Sequence, residues 1–338
     1  MQVNSITFVR PGEVELCTSD LDTGSFGDTS VLMETEYSVV SAGTELAVLR
    51  GTESWAPLPF VPGYGAVGLA RQVGPHVTGL AVGDRVFCYG EHRSVSVIDG
   101  GLMLKIPDGV DPRLAVMARI GQVSFTAVRT SAPELGDTVA VIGLGLVGNL
   151  AAQLFRLAGC RVIGLDVSPR RLATARACEV DEVVNTAEVD PTAAVRDLTG
   201  GAMCEIVVEA SGVPNMAHAA AKLAGRNGQV VLLGSPRGQF TADAMEVLNA
   251  VHLWGNCVTL KGAHEWRYPL RRDPGGHVKH SIERNVRQFL GFIQSGKMHL
   301  EELISHTVSP RLCQEVYANL QARNEDYFGV VYDWMKDR

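Results

Sequence analysis

The sequence predicts an α/β protein of two domains, one a mostly antiparallel β domain and the other a doubly wound parallel sheet. A chain of 338 residues, of which 46% are apolar, is long enough for two hydrophobic cores, so two domains are expected. From about residue 136, short apolar runs alternate with helical stretches, whereas the first 128 residues hold short runs broken by Gly, Pro and Asp. The alternation is typical of a parallel sheet covered on both faces, and the broken runs are typical of antiparallel strands.

The expected elements can be taken in chain order. The antiparallel strands are EVELCTS, VLMETEYSVVSAG, GLARQVG, DRVFCYG and RSVSVID, and the parallel strands are TVAVIG, RVIGLD, EIVVEA, QVVLLG and VTLKGA. The segment SIERNVRQFLGFIQSGK has apolar residues about 3.6 positions apart and ends at Gly296, which predicts a helix. These patterns place the first domain at 1–124 and 265–338, and the second at 125–264.

Composition excludes several classes of partner. A formal net charge of -7 gives no broad positive surface for nucleic acid or an anionic membrane, so a small-molecule partner is expected. No window approaches the roughly 20 apolar residues of a membrane span, and the start has no signal-peptide pattern. These two observations predict a cytoplasmic protein, and seven dispersed cysteines without CxxC indicate reduced thiols. A homodimer or homotetramer is expected.

The stretch VAVIGLGLVGNLAAQLFRLAG carries a glycine motif between an apolar strand and an amphipathic helix. Gly143, Gly145 and Gly148 have GxGxxG spacing, in which the first permits a tight turn and the third permits close packing of helix on strand. The middle glycine, followed by Leu146 and Val147, lets the backbone approach a pyrophosphate at the helix N-terminus. This predicts a Rossmann domain that binds NAD; an ordinary strand-to-helix turn is the alternative.

Asp166 ends the next strand, 18 residues after Gly148. A carboxylate there can accept hydrogen bonds from both ribose hydroxyls and repel a 2′-phosphate, which predicts NAD(H) over NADP(H). Arg170 or Arg171 could instead fold over the ribose and accept that phosphate. The segment DVSPRRLATA nevertheless resembles a capped helix start with Pro169 in its first turn and the arginines in solvent.

Two further loops follow parallel strands, where doubly wound sheets bind their ligands. EASG places Ala210 and Gly212 after one strand, next to Glu209, and LLGSP places Gly234 and Ser235 after another. We expect these loops near the adenine side and the nicotinamide side of the cofactor respectively. The alternative is that these residues only form ordinary turns and bind no cofactor.

The segments SAGTELAVLRG, PGYGAVG, VGPHVTGLAVGDRV, KIPDGVD and GLGLVG occur in this order. With them the sequence resembles the medium-chain dehydrogenase/reductase superfamily, in its zinc alcohol and polyol dehydrogenase group, over almost the whole chain. The resemblance implies a GroES-like, mostly β domain that holds the substrate and an inserted Rossmann domain. It also implies that the C-terminus returns to the first domain and that the active site lies in the cleft between the domains.

The metal ligands of that family are replaced here. Members with catalytic zinc carry a cysteine, a His-Glu pair and a further Cys or Glu, and the matching positions are Ala42, the pair Tyr64 and Gly65, and Arg119. Catalytic zinc needs three protein donors of N, O or S type. The lobe of four cysteines that holds a structural zinc is also missing, so we expect no metal.

The same alignment suggests which residues assist hydride transfer without zinc. Thr44 matches the hydroxyl that relays the alcohol proton, and Glu45 replaces the family's aspartate. Tyr64 and Arg119 occupy vacated ligand positions, so a guanidinium beside a phenol would lower the pKa of the tyrosine and favour acid-base work. His92 matches a pocket-lining position and titrates near neutral pH.

Each of these residues also has a structural interpretation. Tyr64 could only fill the vacated volume, and Arg119 could pair with Glu45. His92 could be a hydrogen-bonded wall residue. Thr44 could cap a helix starting at ELAVLR, in which Glu45 would complement the helix dipole.

Residues 261–285 form a long polar segment with three His, one Trp and several Arg, which could cover a substrate or be a surface loop or oligomer contact. The polar candidates favour a hydroxylated substrate. The leading function is therefore a zinc-independent NAD(H)-dependent oxidoreductase that interconverts a secondary alcohol and a ketone on a sugar, cyclitol or natural-product-like substrate. The alternatives are a zinc-free reductase of an activated C=C bond or quinone, and a non-catalytic nucleotide-binding relative.

Overall fold

A computed structural model of the chain describes residues 1–21, 24, 26–252 and 256–337. The chain forms two compact units. Unit 1 comprises Met1–Arg119, Arg287–Gly296 and Leu303–Arg338, and unit 2 comprises Ile120–Val286 and Lys297–Glu302. The domain limits given above rest on sequence pattern and stay a prediction.

The strands and helices are numbered along the chain. The strands are β1 (Gln2–Arg10), β2 (Glu13–Asp20), β3 (Ser30–Val39), β4 (Ala66–Val73), β5 (Arg85–Cys88), β6 (Val95–Asp99), β7 (Met103–Lys105), β8 (Thr138–Ile142), β9 (Arg161–Asp166), β10 (Glu182–Asn185), β11 (Cys204–Glu209), β12 (Ala224–Leu232), β13 (Thr259–Gly262), β14 (His306–Val308) and β15 (Val330–Asp333). The helices are α1 (Ala42–Leu49), α2 (Pro112–Ala115), α3 (Ala118–Ser131), α4 (Leu146–Leu157), α5 (Pro169–Ala177), α6 (Pro191–Leu198), α7 (Pro214–Ala219), α8 (Ala244–Val251), α9 (Ile282–Gln294) and α10 (Cys313–Gln321).

Unit 1 is built on two β-sheets. Strands β1 and β2 form an antiparallel pair, and the larger sheet has the order β14-β15-β3-β4-β5-β7, with β6 also paired to β3. Strand β15 runs antiparallel to β3, so the C-terminal part of the chain completes a sheet that the N-terminal part begins. The apolar core under β1 includes Phe8, Leu49, Tyr317 and Trp334. The predicted antiparallel β character of the first part of the chain is confirmed.

Unit 2 is built on one parallel sheet with the order β10-β9-β8-β11-β12-β13. Numbered within the unit, this order is 3-2-1-4-5-6, which is the order of a Rossmann sheet. The central strands β8, β9, β11 and β12 are rich in Val and Ile and largely buried, as at Val207, Val230 and Ile163, whereas the edge strand β13 is largely exposed. The doubly wound parallel sheet predicted from the alternating pattern is confirmed.

The helix predicted from residue 281 is also confirmed. It is α9, and Gly296 follows it with a φ of 65°, a left-handed conformation that glycine adopts without strain. Strands β1, β7, β10, β14 and β15 were not among the predicted runs, and most of them are only three or four residues long. Among the described residues, no helix is both long and apolar enough to cross a bilayer.

Candidate functional site

Helix α1 begins where the family resemblance placed the first metal ligand. Ser41 is its N-cap residue, yet the Ser41 side chain accepts no hydrogen bond from the helix. Instead the Ser41 backbone N–H donates to Glu45 Oε1 at 2.9 Å. The helix therefore starts before the position at which Thr44 could have capped it, and Thr44 lies inside the first turn.

Two glycines of the PGYG stretch make room for functional side chains. A Cβ atom on Gly63, whose φ is 94°, would lie 2.6 Å from the backbone N of His92 and 2.8 Å from its Cγ. A Cβ atom on Gly65 would lie 2.5 Å from both Cβ and Cγ of Arg119. These positions must therefore be glycine for His92 and Arg119 to lie where they do.

Tyr64 and Arg119 are in direct contact. The Arg119 Cζ atom lies 4.1 Å from the centroid of the Tyr64 ring, and its Nε donates to the Tyr64 carbonyl oxygen at 2.9 Å. Arg119 is buried, with an exposed fraction of 4%, and its Cζ lies 5.8 Å from the ring of Tyr89. The Tyr64 hydroxyl donates to Ser41 Oγ. The family positions predicted the phenol beside the guanidinium, but nothing in the sequence pointed to Ser41.

The predicted direction of the Tyr64 pKa shift is wrong. Burial raises the pKa of Tyr64 above its ordinary value and is the largest influence. The Arg119 charge and hydrogen bonds from Ser41 and Thr44 act in the opposite direction without reversing the net shift. The phenol therefore stays neutral near neutral pH, so it can donate a proton but is a poor base.

Glu45 and His92 belong to a buried hydrogen-bonded network. Glu45 Oε2 accepts from the Tyr317 hydroxyl at 2.5 Å and lies 3.4 Å from His92 Nε2. His92 Nδ1 lies 2.8 Å from Ser38 Oγ, and the Trp334 Nε1 donates to the same oxygen at 2.9 Å. Both ring nitrogens of His92 are thus occupied, and its side chain is fully buried. Glu45 does more than complement the helix dipole, since it bonds to α10 and to His92.

The residues at the former ligand positions do not fit a zinc ion. Ala42 and Gly65 carry no donor, and Arg119 is a cation stacked on Tyr64. Within the described part of the chain, no group of three or more His, Cys, Asp or Glu side chains could hold a metal.

In unit 2, the glycines of the GLGLVG loop act as their spacing predicts. Gly143 has a φ of 89°, and a Cβ atom on Gly148 would lie 1.8 Å from the carbonyl oxygen of Gly143. A Cβ atom on Gly145 would meet nothing within 4 Å. Gly145 is also the N-cap of α4 and provides no side-chain cap, and Leu146 and Val147 are the first two helical residues. The first N–H groups of α4 are therefore available to an anion such as a pyrophosphate.

Asp166 is buried at the end of β9. Its Oδ2 accepts from the backbone N–H of Leu144 at 2.7 Å, and its Oδ1 accepts from the backbone N–H of Ser168 at 2.9 Å. The Nη1 of Arg171 lies 3.7 Å from Oδ2, and the Arg171 side chain is 43% exposed. The carboxylate thus holds the glycine-rich loop and retains lone pairs for a ribose diol.

The segment after Asp166 is the capped helix start that the sequence suggested. Ser168 Oγ accepts from the Arg171 backbone N–H, and Pro169 occupies the first turn of α5. Arg170 is exposed, whereas Arg171 turns towards Asp166. An acid and a cation therefore lie side by side here, and they favour opposite cofactors: Asp166 favours NAD(H) and Arg171 favours NADP(H).

The loops after β11 and β12 meet at the carboxyl ends of their strands. A Cβ atom on Gly234 would lie 2.4 Å from the backbone N of Gly212, and one on Gly212 would lie 2.7 Å from the carbonyl oxygen of Ser235. The Ala210 N–H donates to the carbonyl of Ile142, the last residue of β8, at 2.8 Å. The structure thus brings these predicted cofactor residues together at the carboxyl ends of β11 and β12, and β11 lies beside β8, where the strand order reverses.

Glu209 fixes the first of these loops. Its carboxylate accepts from the backbone N–H groups of Ser211 at 2.8 Å and Gly212 at 3.2 Å, and from the Ser211 hydroxyl. Burial raises the pKa of Glu209, while these bonds with Ser211 and Gly212 act to lower it. Ser211 itself would lie 2.9 Å from a Cβ atom on Gly143, so the two loops are in close contact.

The segment 261–285 also lies in unit 2 and is largely exposed. Gln122 donates to the carboxylate of Glu265, and the rings of Tyr268 and His280 are 5.7 Å apart at their centroids. Burial, followed by the charges of Arg129 and Arg284, lowers the pKa of His280 to about 4. A role of this segment in covering a substrate stays a prediction.

Known proteins resemble both units. Residues 27–109 match the sequence model of the alcohol dehydrogenase GroES-like domain, and residues 147–270 match that of zinc-binding dehydrogenases. The chain is 28% identical over 275 residues to an alcohol dehydrogenase of Geobacillus stearothermophilus, covering 71% of this chain and 80% of the relative. It is 33% identical over 150 residues to a D-guloside 3-dehydrogenase of Shigella flexneri, covering 43% of each chain.

Solved structures share the fold over nearly the whole chain. A protein of Escherichia coli CFT073 described as a short chain alcohol dehydrogenase, complexed with NADH, has a TM-score of 0.80 at 17% identity. A protein of Sinorhizobium meliloti 1021 assigned as a zinc-binding dehydrogenase, bound to NADP, has a TM-score of 0.81 at 19% identity. Both comparisons cover 98% of this chain and 99% of the other.

These matches and the geometry define an α/β protein with a GroES-like domain and a Rossmann-type sheet, as predicted. The chain belongs to the medium-chain dehydrogenase/reductase superfamily, among its zinc-alcohol-dehydrogenase-like members. It is an oxidoreductase, and its sequence is similar to those of alcohol dehydrogenases.

Proposed function

We propose that this protein is a zinc-independent, NAD(H)-dependent oxidoreductase that interconverts a secondary alcohol and a ketone on a hydroxylated substrate such as a sugar or cyclitol. The observation that carries the proposal is the neutral phenol of Tyr64. It lies at a former ligand position, is stacked on Arg119 and is hydrogen-bonded to Ser41.

Tyr64 supplies the proton that the ketone oxygen takes up, a step that the metal assists in zinc enzymes. Reduction of a ketone builds negative charge on its oxygen, and a donor placed there stabilises the transition state. A phenol is protonated at neutral pH, and burial raises the pKa of Tyr64 further, so Tyr64 serves as an acid in this direction. Arg119 stabilises the phenolate that remains, since its charge lowers the pKa of Tyr64. Reduction is therefore the better supported direction.

The nicotinamide cofactor supplies or accepts the hydride. The open N-terminus of α4 at Gly145 would hold its pyrophosphate, and Asp166 would hold the ribose diol. The buried carboxylate supports NAD(H), because a 2′-phosphate beside it would be repelled. Arg171 weakens this preference, since its guanidinium lies next to the same carboxylate.

Support for a hydroxylated substrate comes mainly from the relative named for a D-guloside. Glu45 and His92, which the sequence suggested as polar pocket residues, are bonded to other buried groups. We therefore assign His92 a positioning role rather than that of the acid.

The test uses dialysed protein with NADH or NADPH against dihydroxyacetone, erythrulose, cyclohexenone and benzoquinone. We expect reduction of the hydroxyketones with NADH, and Tyr64→Phe should lower kcat about 100-fold or more while leaving NADH affinity unchanged. Tyr327→Phe, which removes a surface hydroxyl bonded to Glu315, is the matched control. Turnover of cyclohexenone or benzoquinone alone, or tight NADH binding without any turnover, would reject the proposal.

A further inference from the structure

Ser41 does not use its hydroxyl as an N-cap serine usually does. Such a side chain normally accepts a hydrogen bond from an N–H of the first helical turn. Asp111, Ser168, Asp190 and Asp243 do so at the starts of α2, α5, α6 and α8. At α1 the Ser41 side chain makes no such bond. Its hydroxyl is therefore free for another partner, which is Tyr64.

The backbone of Ser41 is held in place by a chain of buried bonds. The Ser41 N–H donates to Glu45 Oε1 at 2.9 Å, and Glu45 Oε2 accepts from the Tyr317 hydroxyl at 2.5 Å. His92 Nε2 lies 3.4 Å from the same Oε2 atom. Glu45, Tyr317 and His92 thus fix the position from which the Ser41 hydroxyl faces Tyr64.

The direction of the bond indicates where the protons point. The Tyr64 hydroxyl donates to Ser41 Oγ, so the one proton of the phenol is directed at Ser41. Within the described residues, the Ser41 hydroxyl has no acceptor of its own. Ser41 is also only partly buried, which leaves its proton accessible to a small molecule.

We propose that Ser41 is a catalytic residue that relays the Tyr64 proton to the substrate oxygen; this inference rests on the proposed ketone reduction. The carbonyl carbon gains the hydride of NADH, and the carbonyl oxygen takes the Ser41 Oγ proton. Ser41 Oγ takes the Tyr64 proton in the same step. The Tyr64 phenolate remains beside Arg119 and regains a proton from water.

The kinetic test uses NADH with dihydroxyacetone and erythrulose. Ser41→Ala should lower kcat about 10-fold or more, with NADH affinity unchanged. Ser41→Thr keeps a hydroxyl and should have most of the wild-type kcat. In a Tyr64→Phe background the same change should alter kcat by less than about 2-fold, because both residues act in one chain. In Ser41→Ala the pH above which kcat falls should also be higher than in the wild type, because the substitution removes a hydrogen bond that lowers the pKa of Tyr64.

Thermal unfolding separates this role from a structural one. Ser41→Ala removes no capping bond but leaves the Tyr64 hydroxyl without its acceptor, so its Tm should fall only by about 2–4 °C, too little to explain an about 10-fold loss of kcat. Asp190→Ala is the matched control, because Asp190 Oδ1 accepts from the Ala193 N–H at 2.8 Å and caps α6. It should lower Tm by about 2–4 °C and leave kcat unchanged.

A second measurement needs no substrate. Protein labelled with ¹³C at the tyrosine Cζ gives a Tyr64 resonance that Tyr64→Phe identifies. Ser41→Ala should shift this resonance at neutral pH, and Ser41→Thr should restore it. An unchanged resonance in Ser41→Ala would show that the two hydroxyls are not bonded and would overturn the inference.

The outcomes distinguish this inference from the proposed function. Full kcat in Ser41→Ala together with a large loss in Tyr64→Phe would overturn the relay alone. An equal loss from Ser41→Ala with and without Tyr64 would also overturn it. Full kcat in Tyr64→Phe, or no ketone reduction by the wild type, would reject the proposed function and the relay together.

Discussion

Replacement of Gly65 by alanine should destabilise unit 1 and displace Arg119 from Tyr64. The added Cβ would lie 2.5 Å from Cβ and Cγ of Arg119, whereas carbon atoms in good contact are about 3.5–4.0 Å apart. The overlap is therefore more than about 1 Å at two atoms. Arg119 cannot swing away freely, because it is buried and its guanidinium is stacked on Tyr64.

The size of the effect follows from three contributions. Overpacking of a buried site costs about 1–3 kcal/mol. Loss of the stacking of Arg119 on Tyr64 adds about 0.5–2 kcal/mol. The lower backbone entropy of alanine in the unfolded chain offsets about 0.4–1 kcal/mol. We expect the free energy of unfolding to fall by about 1–4 kcal/mol.

Urea unfolding measures this loss. The matched control is Gly291→Ala in α9, where an added Cβ meets nothing within 4 Å and alanine should stabilise the helix by about 0.5–1 kcal/mol. The pKa of Tyr64 should rise further in Gly65→Ala, because the Arg119 charge that lowers it moves away. If Gly65→Ala unfolds at the urea concentration of the wild type and Tyr64 titrates unchanged, Arg119 does not pack as described.

Three other outcomes test the remaining features. Elemental analysis of dialysed protein should find no stoichiometric zinc, and a chelator should leave activity unchanged, because Ala42, Gly65 and Arg119 provide no zinc donor and Tyr64 alone cannot hold the ion; one zinc per chain would contradict this. Titration calorimetry should show that Asp166→Asn reduces the difference in binding free energy between NADH and NADPH by about 1–3 kcal/mol. Arg171→Ala should weaken the binding of NADPH more than that of NADH. Equal affinity of the wild type for both cofactors would refute the role of Asp166. His280 has a pKa of about 4 in the folded chain, below its ordinary 6.5, so its contribution to stability is present above pH 6.5 and is lost as pH falls through 4. In His280→Gln the free energy of unfolding should fall less between pH 6.5 and 4 than in the wild type. If the two proteins lose stability in parallel over this range, His280 does not titrate as stated.

The Rossmann part of the fold could be predicted because its signals are local. Gly143 needs a left-handed φ and Gly148 has no space for a side chain, and both demands appear in the sequence as a spacing of glycines. The apolar runs before and after the motif are long enough to identify β8 and β9. Short strands such as β10, β14 and β15 carry too few residues for a period to be visible.

The candidate site was only partly predictable. The proximity of Tyr64 and Arg119 was inferred from family positions, but the direction of the Tyr64 pKa shift depends on burial, which a sequence does not show. The partners of Glu45 could not be inferred either. Tyr317 and His92 are 272 and 47 residues away from it, and neither separation follows a helix or strand period. Ser41 gave no signal because its departure from the usual capping bond is visible only in three dimensions.

The pairing of β15 with β3 determines when unit 1 can be finished during synthesis. The ribosome translates most of unit 1 first, then the main segment of unit 2, and only afterwards the residues of α10 and β15. Until these residues emerge, Glu45 lacks Tyr317 and Ser38 lacks Trp334. Residues 37–39 of β3 also lack β15 and stay unpaired on that side, although residues 30–34 pair with β6, and such an unpaired edge is a site for aggregation. The unit that is encoded first is thus completed last, and a nascent chain that stalls before residue 334 would hold a complete unit 2 and an incomplete unit 1.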